Sequence, residues 1–580
     1  MLIKSVRIHN FRNLNHIEIK LHPTTNYIIG ENNLGKSNFL DALDYVFNGK
    51  RLCDEDYYKI DQSIEIIITL MLNEDEYGFF ADNFDPQQAS DITIKFTQNY
   101  EDYYPTIICV NTNEPIQPKQ LKRMHYIRYQ SSTAVPGKEL KLSQASGAAK
   151  VFNGIVDMYL HDKSKKDIDF INQDTIKSLS DYVNEMFSKI GGFNKYGIRA
   201  TIGNNINNLI SNMYFLSDGD RKIESTGSGI QYIVMASLNI LSQIMNIYKN
   251  RTSKFDEQYY IDENGKKILP ILVALDEPEV HLHPYLQRAL ITYYKKILSN
   301  KDKSFNELIK KCFGIDGISG QLLTVTHSPD ILMGDYKNLI RFYKYSGMTM
   351  VANGYSFVEK NIHKSVEKQL LMRFKDLRES FYAHCVIIVE GETEYGCMPY
   401  FAEKLNISLD DNCISIIMAQ GESNIKPLMK LFEYFHIPSI CIYDSDVKQK
   451  RESHKNNEFF TNGKCFEIDI VNSLYDKGHI DLIKEIAEDM DSNIWNTKLD
   501  IEYVTKGFKY LQKPINGYTS KALSEINEDN KEEFCTMYIV WFMKHKGVLS
   551  GRSIGMHVPE ECIPSCYLDA FKEAIQRAQR

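Results

Sequence analysis

At 580 residues the chain is long enough for two or more domains with full cores, and 43% hydrophobic with 25% charged residues is an ordinary globular balance. A net charge of −8 excludes a uniformly basic nucleic-acid binder, so any such contact must come from local basic patches. The eleven cysteines hold no C-x-x-C pair and no apolar run reaches about 18 residues, which argues against a disulfide framework, a zinc module and a membrane span, and for a cytoplasmic chain with reduced thiols.

Residues 2–8 and 16–20 alternate apolar and polar side chains, which predicts two half-exposed strands, and the short apolar run Tyr27–Ile29 predicts a buried one. It leads into Gly30-x-x-x-x-Gly35-Lys36-Ser37, the spacing of a phosphate-binding loop. Glycines there let backbone N–H groups turn toward phosphate oxygens, and the helix starting near Lys36 adds its positive end. Lys36 is expected to reach the β- and γ-phosphates of ATP and Ser37 to ligate Mg²⁺, with Asn32, Asn33 and Asn38 completing the nucleotide-binding loop. The segment Asn38–Phe47 reads as a helix with Phe39, Leu40, Leu43 and Val46 inward, and Ser63–Leu72 and Ile92–Thr97 read as strands. Residues 1–145 are thus taken as an N-terminal lobe, 146–200 as a helical insertion suited to dimerisation, and 201–375 as a second lobe.

In that second lobe a glycine-rich turn, Ser225-Thr-Gly-Ser228-Gly229-Ile-Gln231, precedes a helix over 229–248 and suits a phosphate bound by another subunit. The buried strand Ile268–Leu275 ends in Asp276 and Glu277, placed to hold the Mg²⁺ shell and to orient or deprotonate the attacking water. A further strand, Gln321–Thr326, ends at His327, where a γ-phosphate sensor is needed. Together with Ile8-His-Asn-Phe-Arg12-Asn, these residues resemble the ABC-type ATPase heads of the RecF and structural-maintenance families. The resemblance implies that Ser225–Gln231, through Ser228 and Gly229, acts in trans across a head dimer, and it places the family's glutamine loop at Gln130. The signature turn departs from the usual Leu-Ser-Gly-Gly-Gln, and no sustained heptads separate Lys36 from Asp276, so no long coiled-coil arm is expected.

A charged helix over Ser365–Ser380 carries the chain to a new start, with the boundary expected near 375–382 and a second domain over 380–580. Strands Val386–Val389, Ile414–Met418 and Ser439–Tyr443 alternate with helices Met398–Leu405 and Ile425–Phe435, the pattern of a parallel sheet. Its strand ends carry Glu390 and Glu394, then Asp444 and Asp446; four converging carboxylates call for hard cations, Mg²⁺ or Mn²⁺, and a two-metal site suits phosphodiester cleavage. The basic loop Lys448–Arg451 is a candidate DNA-backbone contact. The Glu-Gly-x-Thr-Glu and Asp-x-Asp pair, with a glycine turn at Ala419–Asn424, resembles the Toprim domain, and an ABC head followed by Toprim resembles the OLD-family nucleases. That resemblance implies a late acid, with Asp469 preferred to Glu467, and a late lysine, with Lys546 preferred to Lys544. It also implies an ATP-regulated DNA endonuclease of anti-phage defence, a homo-oligomer through its ATPase domain, paired with a helicase or with a reverse transcriptase and its RNA–DNA product. The competing readings are a DNA-binding or repair clamp with a non-cleaving Toprim domain, and a topoisomerase- or primase-like enzyme.

Overall fold

The structure, a computed structural model, describes residues 1–80, 83, 91–131, 135–142, 147–162, 173–202, 214–250, 252–357, 364–450, 456–492, 494 and 498–579. The chain divides into two compact units, Met1–Val358 and Glu359–Arg580. The division precedes the expected boundary near 375–382 because the helix Lys364–Leu377 packs with the second unit, against the helix Glu422–Tyr434.

The first unit begins with strands β1 (Leu2–His9), β2 (Ile17–Lys20) and β3 (Thr25–Gly30). After the helix Lys36–Asn48 come β4 (Ile64–Met71), β5 (Asp91–Gln98), β6 (Thr106–Cys109) and β7 (His125–Gln130). In the antiparallel sheet β2-β1-β4-β5-β6, every second residue of β4 and β5 is buried, which is why their sequence reads with period two. β3 behaves differently, with all six residues buried, because it lies inside a second sheet.

That second sheet is completed by β11 (Tyr260–Ile261), β12 (Lys267–Asp276), β13 (Gly317–Val325), β14 (Leu339–Tyr345) and β15 (Met348–Asn353). Its order is β11-β12-β13-β3-β14-β15, with β7 also paired to β12. Because β3, β7, β12 and β13 run parallel, their C-terminal ends reach one edge, bringing the phosphate loop, Gln130, Asp276 and His327 to the same side.

The segment expected to be a helical insertion contains helices Ala148–Asp162, Gln173–Ser188 and Gly191–Tyr196. It does not end at 200, however, because β8 (Ile198–Ile202) pairs with β9 (Tyr214–Asp218), which pairs with β10 (Arg221–Lys222). The expected start at 146 lies outside the described residues. The helix Ser228–Asn250 follows; Ser228–Lys249 is long and apolar enough by length and composition to cross a membrane, but 61% of that window is buried inside the protein. Its buried side, including Val234, Leu238, Leu241 and Ile244, makes it a core helix.

The second unit is built on β16 (Cys385–Val389), β17 (Ile414–Met418), β18 (Ser439–Tyr443) and β19 (Glu458–Phe460), all parallel, in the order β17-β16-β18-β19. β16 and β18 are buried throughout, as parallel strands covered on both faces are. The helix Lys531–Lys544 is buried from Glu533 to Phe542, with Trp541 and Tyr538 wholly enclosed, so it is an internal element and fixes the backbone that follows it.

Candidate functional sites

In the first unit the loop between β3 and the helix Lys36–Asn48 is shaped by its glycines. Gly30 and Gly35 have φ of 134° and 91°, and a Cβ at Gly30 would overlap the Phe342 carbonyl oxygen. The Lys36 ammonium donates to the carbonyls of Gly30 and Glu31 at 2.7 and 2.6 Å. Burial pulls its pKa down to about 8 against the opposing attraction of Glu277 and Asp276. Ser37 Oγ donates to Asp276 Oδ1 at 3.1 Å, so the two expected Mg²⁺ partners meet across the sheet edge.

The rest of this site forms around them. Glu277 adopts a left-handed φ of 51°, and its amide donates to the Val325 carbonyl at 2.9 Å. That turn brings the Glu277 carboxylate within 3.8 Å of His327 Nε2, while the His327 amide donates to Glu279 Oε1 at 2.6 Å. Burial, then the neighbouring Lys36, holds the His327 imidazole below its usual pKa. Asn38 accepts from Arg12 Nη1 at 2.8 Å and donates to Asn13 at 2.8 Å, and Asn13 donates to the Asn33 carbonyl at 3.0 Å. The opening motif thus braces the loop from behind. Asn32 is exposed. Gln130 stands in register opposite Asp276. Ser228 is exposed at its helix start, and no hydrogen bond among the described residues joins it or Gly229 to Lys36, Ser37 or Asp276.

No local pattern marks Arg128, a half-buried arginine between the buried Ile127 and Tyr129 of β7. Its guanidinium donates to Asp276 Oδ2 at 2.6 Å and forms a second ion pair with Asp41. Burial works to lower its pKa, and Asp276 and Asp41 outweigh that effect.

In the second unit Glu390 follows β16 directly, and Glu394 sits buried in the first turn of the helix Glu392–Lys404. Asp444 follows β18, and its amide donates to the Glu390 carboxylate. Asp446, exposed, raises the Glu390 pKa through space, after burial itself. Lys546 Nζ lies 3.0 Å from Glu467 Oε2, and Glu467 is 1% exposed. Burial and then Glu467 push the Glu394 carboxyl up to about 7; burial and then Glu394 push Asp444 up to about 8. Lys546 answers them: burial works to lower its pKa, but Glu467, Cys465, Glu394 and Asp444 hold it higher than usual. A cavity of about 400 Å³ opens between Glu390, Glu394, Gly421, Asp444 and Lys546.

Asp469, the expected late acid, uses its two oxygens to accept the Asn462 and Gly463 amides at 2.7 and 2.6 Å and so fixes the loop before its own helix. Glu467, two residues earlier on the helix Phe466–Asp476, is the acid that meets Lys546. Residues two apart on a helix point to different sides, which the sequence alone could not orient. Lys546 owes its place to backbone contacts: the Gly547 amide donates to Thr393 Oγ1 at 3.2 Å, and a Cβ on Gly551 or Gly396 would overlap the Thr393 or Val548 carbonyl. The helices Glu392–Lys404 and Val548–His557 therefore meet at backbone distance. The side chains of Lys448–Arg451 lie outside the described residues.

Among the described residues no group of three or more His, Cys, Asp or Glu side chains stands ready to hold a metal ion. The donor set nevertheless fits a hard cation: Glu390 Oε2, Asp444 Oδ1 and Glu467 Oε1 are buried without a hydrogen-bond partner. Lys546 supplies positive charge to the cluster, which lets the carboxylates converge without a metal-holding arrangement.

Residues 1–134 and 155–332 match the family model of the AAA ATPase domain, and 381–446 match the Toprim domain model of overcoming lysogenization defect protein-like proteins. Endonuclease GajA of Bacillus cereus (strain HuB5-5) is 22% identical over 555 residues, covering 79% of this chain and 78% of the relative. Endonuclease GajA of Bacillus cereus (strain VD045) is 23% identical over 578 residues, covering 91% and 89%. The solved C-terminal region of the Xanthomonas campestris pv. campestris OLD protein aligns at 18% identity and a TM-score of 0.25, covering 35% of this chain and 96% of that one. With the ATPase model matched over more than half of the chain and the Toprim model matched C-terminal to it, the chain belongs to the OLD family, an ABC-type ATPase domain fused to a Toprim domain.

Proposed function

We propose that this chain is an ATP-regulated, divalent-metal-dependent DNA endonuclease that acts in anti-phage defence. The observation that carries the reading is the convergence of Glu390, Glu394, Asp444 and Glu467 on Lys546 at the C-terminal ends of β16 and β18, with buried carboxylate oxygens left unpaired. Glu390, Glu394, Asp444 and the exposed Asp446 would hold Mg²⁺ or Mn²⁺. When bound, such ions supply Lewis-acid stabilisation of a phosphodiester and lower the pKa of water. Glu467 keeps Lys546 pointed into the cluster, where its ammonium offsets charge that builds on the phosphate as water adds and one P–O ester bond breaks. The similarity to two proteins named endonuclease supports the reaction class. Its place is the cytoplasm. ATP acts as the controlling ligand, its Mg²⁺ held by Ser37 and Asp276, with heads pairing through Ser228 and Gly229. A helicase, or a reverse transcriptase with its RNA–DNA product, is the proposed trigger.

A second reading, a DNA-binding clamp with a non-cleaving Toprim domain, is favoured by the lack of a ready metal group among the described residues. Supercoiled plasmid incubated with the full-length protein and Mg²⁺ or Mn²⁺, with and without ATP, separates the two. Nicked or linear product is expected, reduced about 100-fold or more by Asp444→Ala with Asp446→Ala, while nucleotide binding persists. Plasmid left intact under every condition would sink the nuclease reading and leave the clamp.

A further inference from the structure

We infer that Arg128 is a positioning residue of the ATP site, which fixes the magnesium acid Asp276 by bridging it to Asp41. This rests on the proposed reading of the first site as an Mg²⁺–ATP site. Both Asp276 oxygens are engaged: Oδ1 accepts from Ser37 Oγ at 3.1 Å and Oδ2 from Arg128 Nη2 at 2.6 Å. Arg128 is itself pinned at its other nitrogen by Asp41, on the helix that follows the phosphate loop. Its side chain is 14% exposed and that of Asp276 is 3% exposed, so the pair is shielded from water and its geometry is retained.

The bridge does what a lysine cannot do in full. A planar guanidinium offers two separate N–H edges, one to each carboxylate, and so sets their distance and orientation. β12 and β7 are paired in register, with Ala274 opposite Arg128 and Asp276 opposite Gln130. Arg128 thus reaches along the sheet to the acid beside Gln130 and ties the strand that bears that glutamine to the helix that bears Ser37. Arg12 joins the same Asp41 and also holds Asp56 at 2.9 Å, so the opening motif, the phosphate-loop helix and the magnesium acid share one chain of ion pairs. Removing the guanidinium leaves Asp276 held by Ser37 alone and free to rotate away from the metal position.

The test uses full-length protein carrying Arg128→Met, Arg128→Lys or Asp41→Asn. ATP hydrolysis is measured against Mg²⁺ concentration at saturating ATP, and binding of a fluorescent ATP analogue is measured with and without Mg²⁺. Arg128→Met is expected to raise the half-saturating Mg²⁺ concentration about fivefold or more and to lower kcat about tenfold or more, with less than a threefold change in nucleotide affinity without Mg²⁺. Arg128→Lys recovers part of the kcat loss, and Asp41→Asn shifts the Mg²⁺ dependence in the same direction as Arg128→Met. A thermal melt of each variant accompanies the assay; if Arg128→Met does not fold, Arg128→Lys and Asp41→Asn decide. Wild-type activity with an unchanged Mg²⁺ dependence in the folded variants overturns the inference alone. A wild-type protein that neither binds nor hydrolyses Mg²⁺–ATP overturns it together with the reading of the site.

Discussion

Lys546 and Glu467 are the pair around which the second site is organised, and each makes sense only with the other. Lys546, whose side chain is 44% exposed, keeps its charge because Glu467, Glu394 and Asp444 face it, and the buried Glu467 and Glu394 tolerate burial because the ammonium is there. Asp469 has different work: two backbone amides spend its oxygens on the loop at Asn462 and Gly463. The two acids therefore separate by mutation. Glu467→Gln is expected to cut metal-dependent plasmid cleavage about 100-fold, the scale of losing a positioned charge at a developing anion. Asp469→Asn, which keeps one acceptor oxygen, should retain cleavage within about tenfold and lower the melting temperature by a few degrees, about 1 kcal/mol of lost hydrogen bonding. Equal losses of cleavage with unaltered melting in both variants would contradict this division of roles.

Among the elements, the contact between helices Glu392–Lys404 and Val548–His557 decides where the lysine stands. Gly396 and Gly551 bring the two backbones together, and Gly555 meets Tyr400 one turn further on. The first helix carries Glu394 and the second begins immediately after Lys546 and Gly547, so their separation sets the lysine-to-acid distance. An added methyl at Gly551 would meet the Thr393 carbonyl and the Gly396 Cα, both backbone. Gly551→Ala is expected to destabilise the protein by about 1–3 kcal/mol through overpacking. Residual folded enzyme should cleave about tenfold more slowly, read by scoring plasmid nicking against the folded fraction from circular dichroism. A folded Gly551→Ala variant with full cleavage would show that this contact does not position Lys546. In the first unit the corresponding device is the parallel sheet itself, since β3, β12 and β13 deliver the loop, Asp276 and His327 to one edge.

At the scale of the whole molecule, the proposed control by nucleotide depends on how two ATPase heads pair. Ser228 and Gly229 begin a long helix whose first residues are solvent-facing and unbonded to the chain's own Lys36, Ser37 or Asp276 among the described residues. A helix start of this kind offers N–H groups to an anion, and a second copy's nucleotide is the anion that the head resemblance implies. Ser228→Arg should then abolish ATP-induced self-association in analytical ultracentrifugation while leaving nucleotide affinity of the isolated protomer within about threefold. The same variant is expected to lose any effect of ATP on plasmid cleavage. Self-association that persists unchanged would move the dimer contact elsewhere.

Local sequence pattern was enough for the pair of domains, the phosphate loop, Asp276 at the end of its buried strand and the acids at 390, 394, 444 and 446 beside theirs. Each of these follows a short apolar strand or a fixed local spacing, so backbone direction and position are set within a few residues. The partners that arrive from far along the chain came from the fold: Arg128 on Asp276, Glu467 rather than Asp469 on Lys546, and the strands β8–β10 after the helical insertion. A single arginine in a strand or a choice between acids two residues apart carries no local signal, because the side to which each points is fixed by packing. The boundary at 358 was hidden for the same reason, since the helix Lys364–Leu377 joins the second unit through contacts that its own charged sequence does not announce.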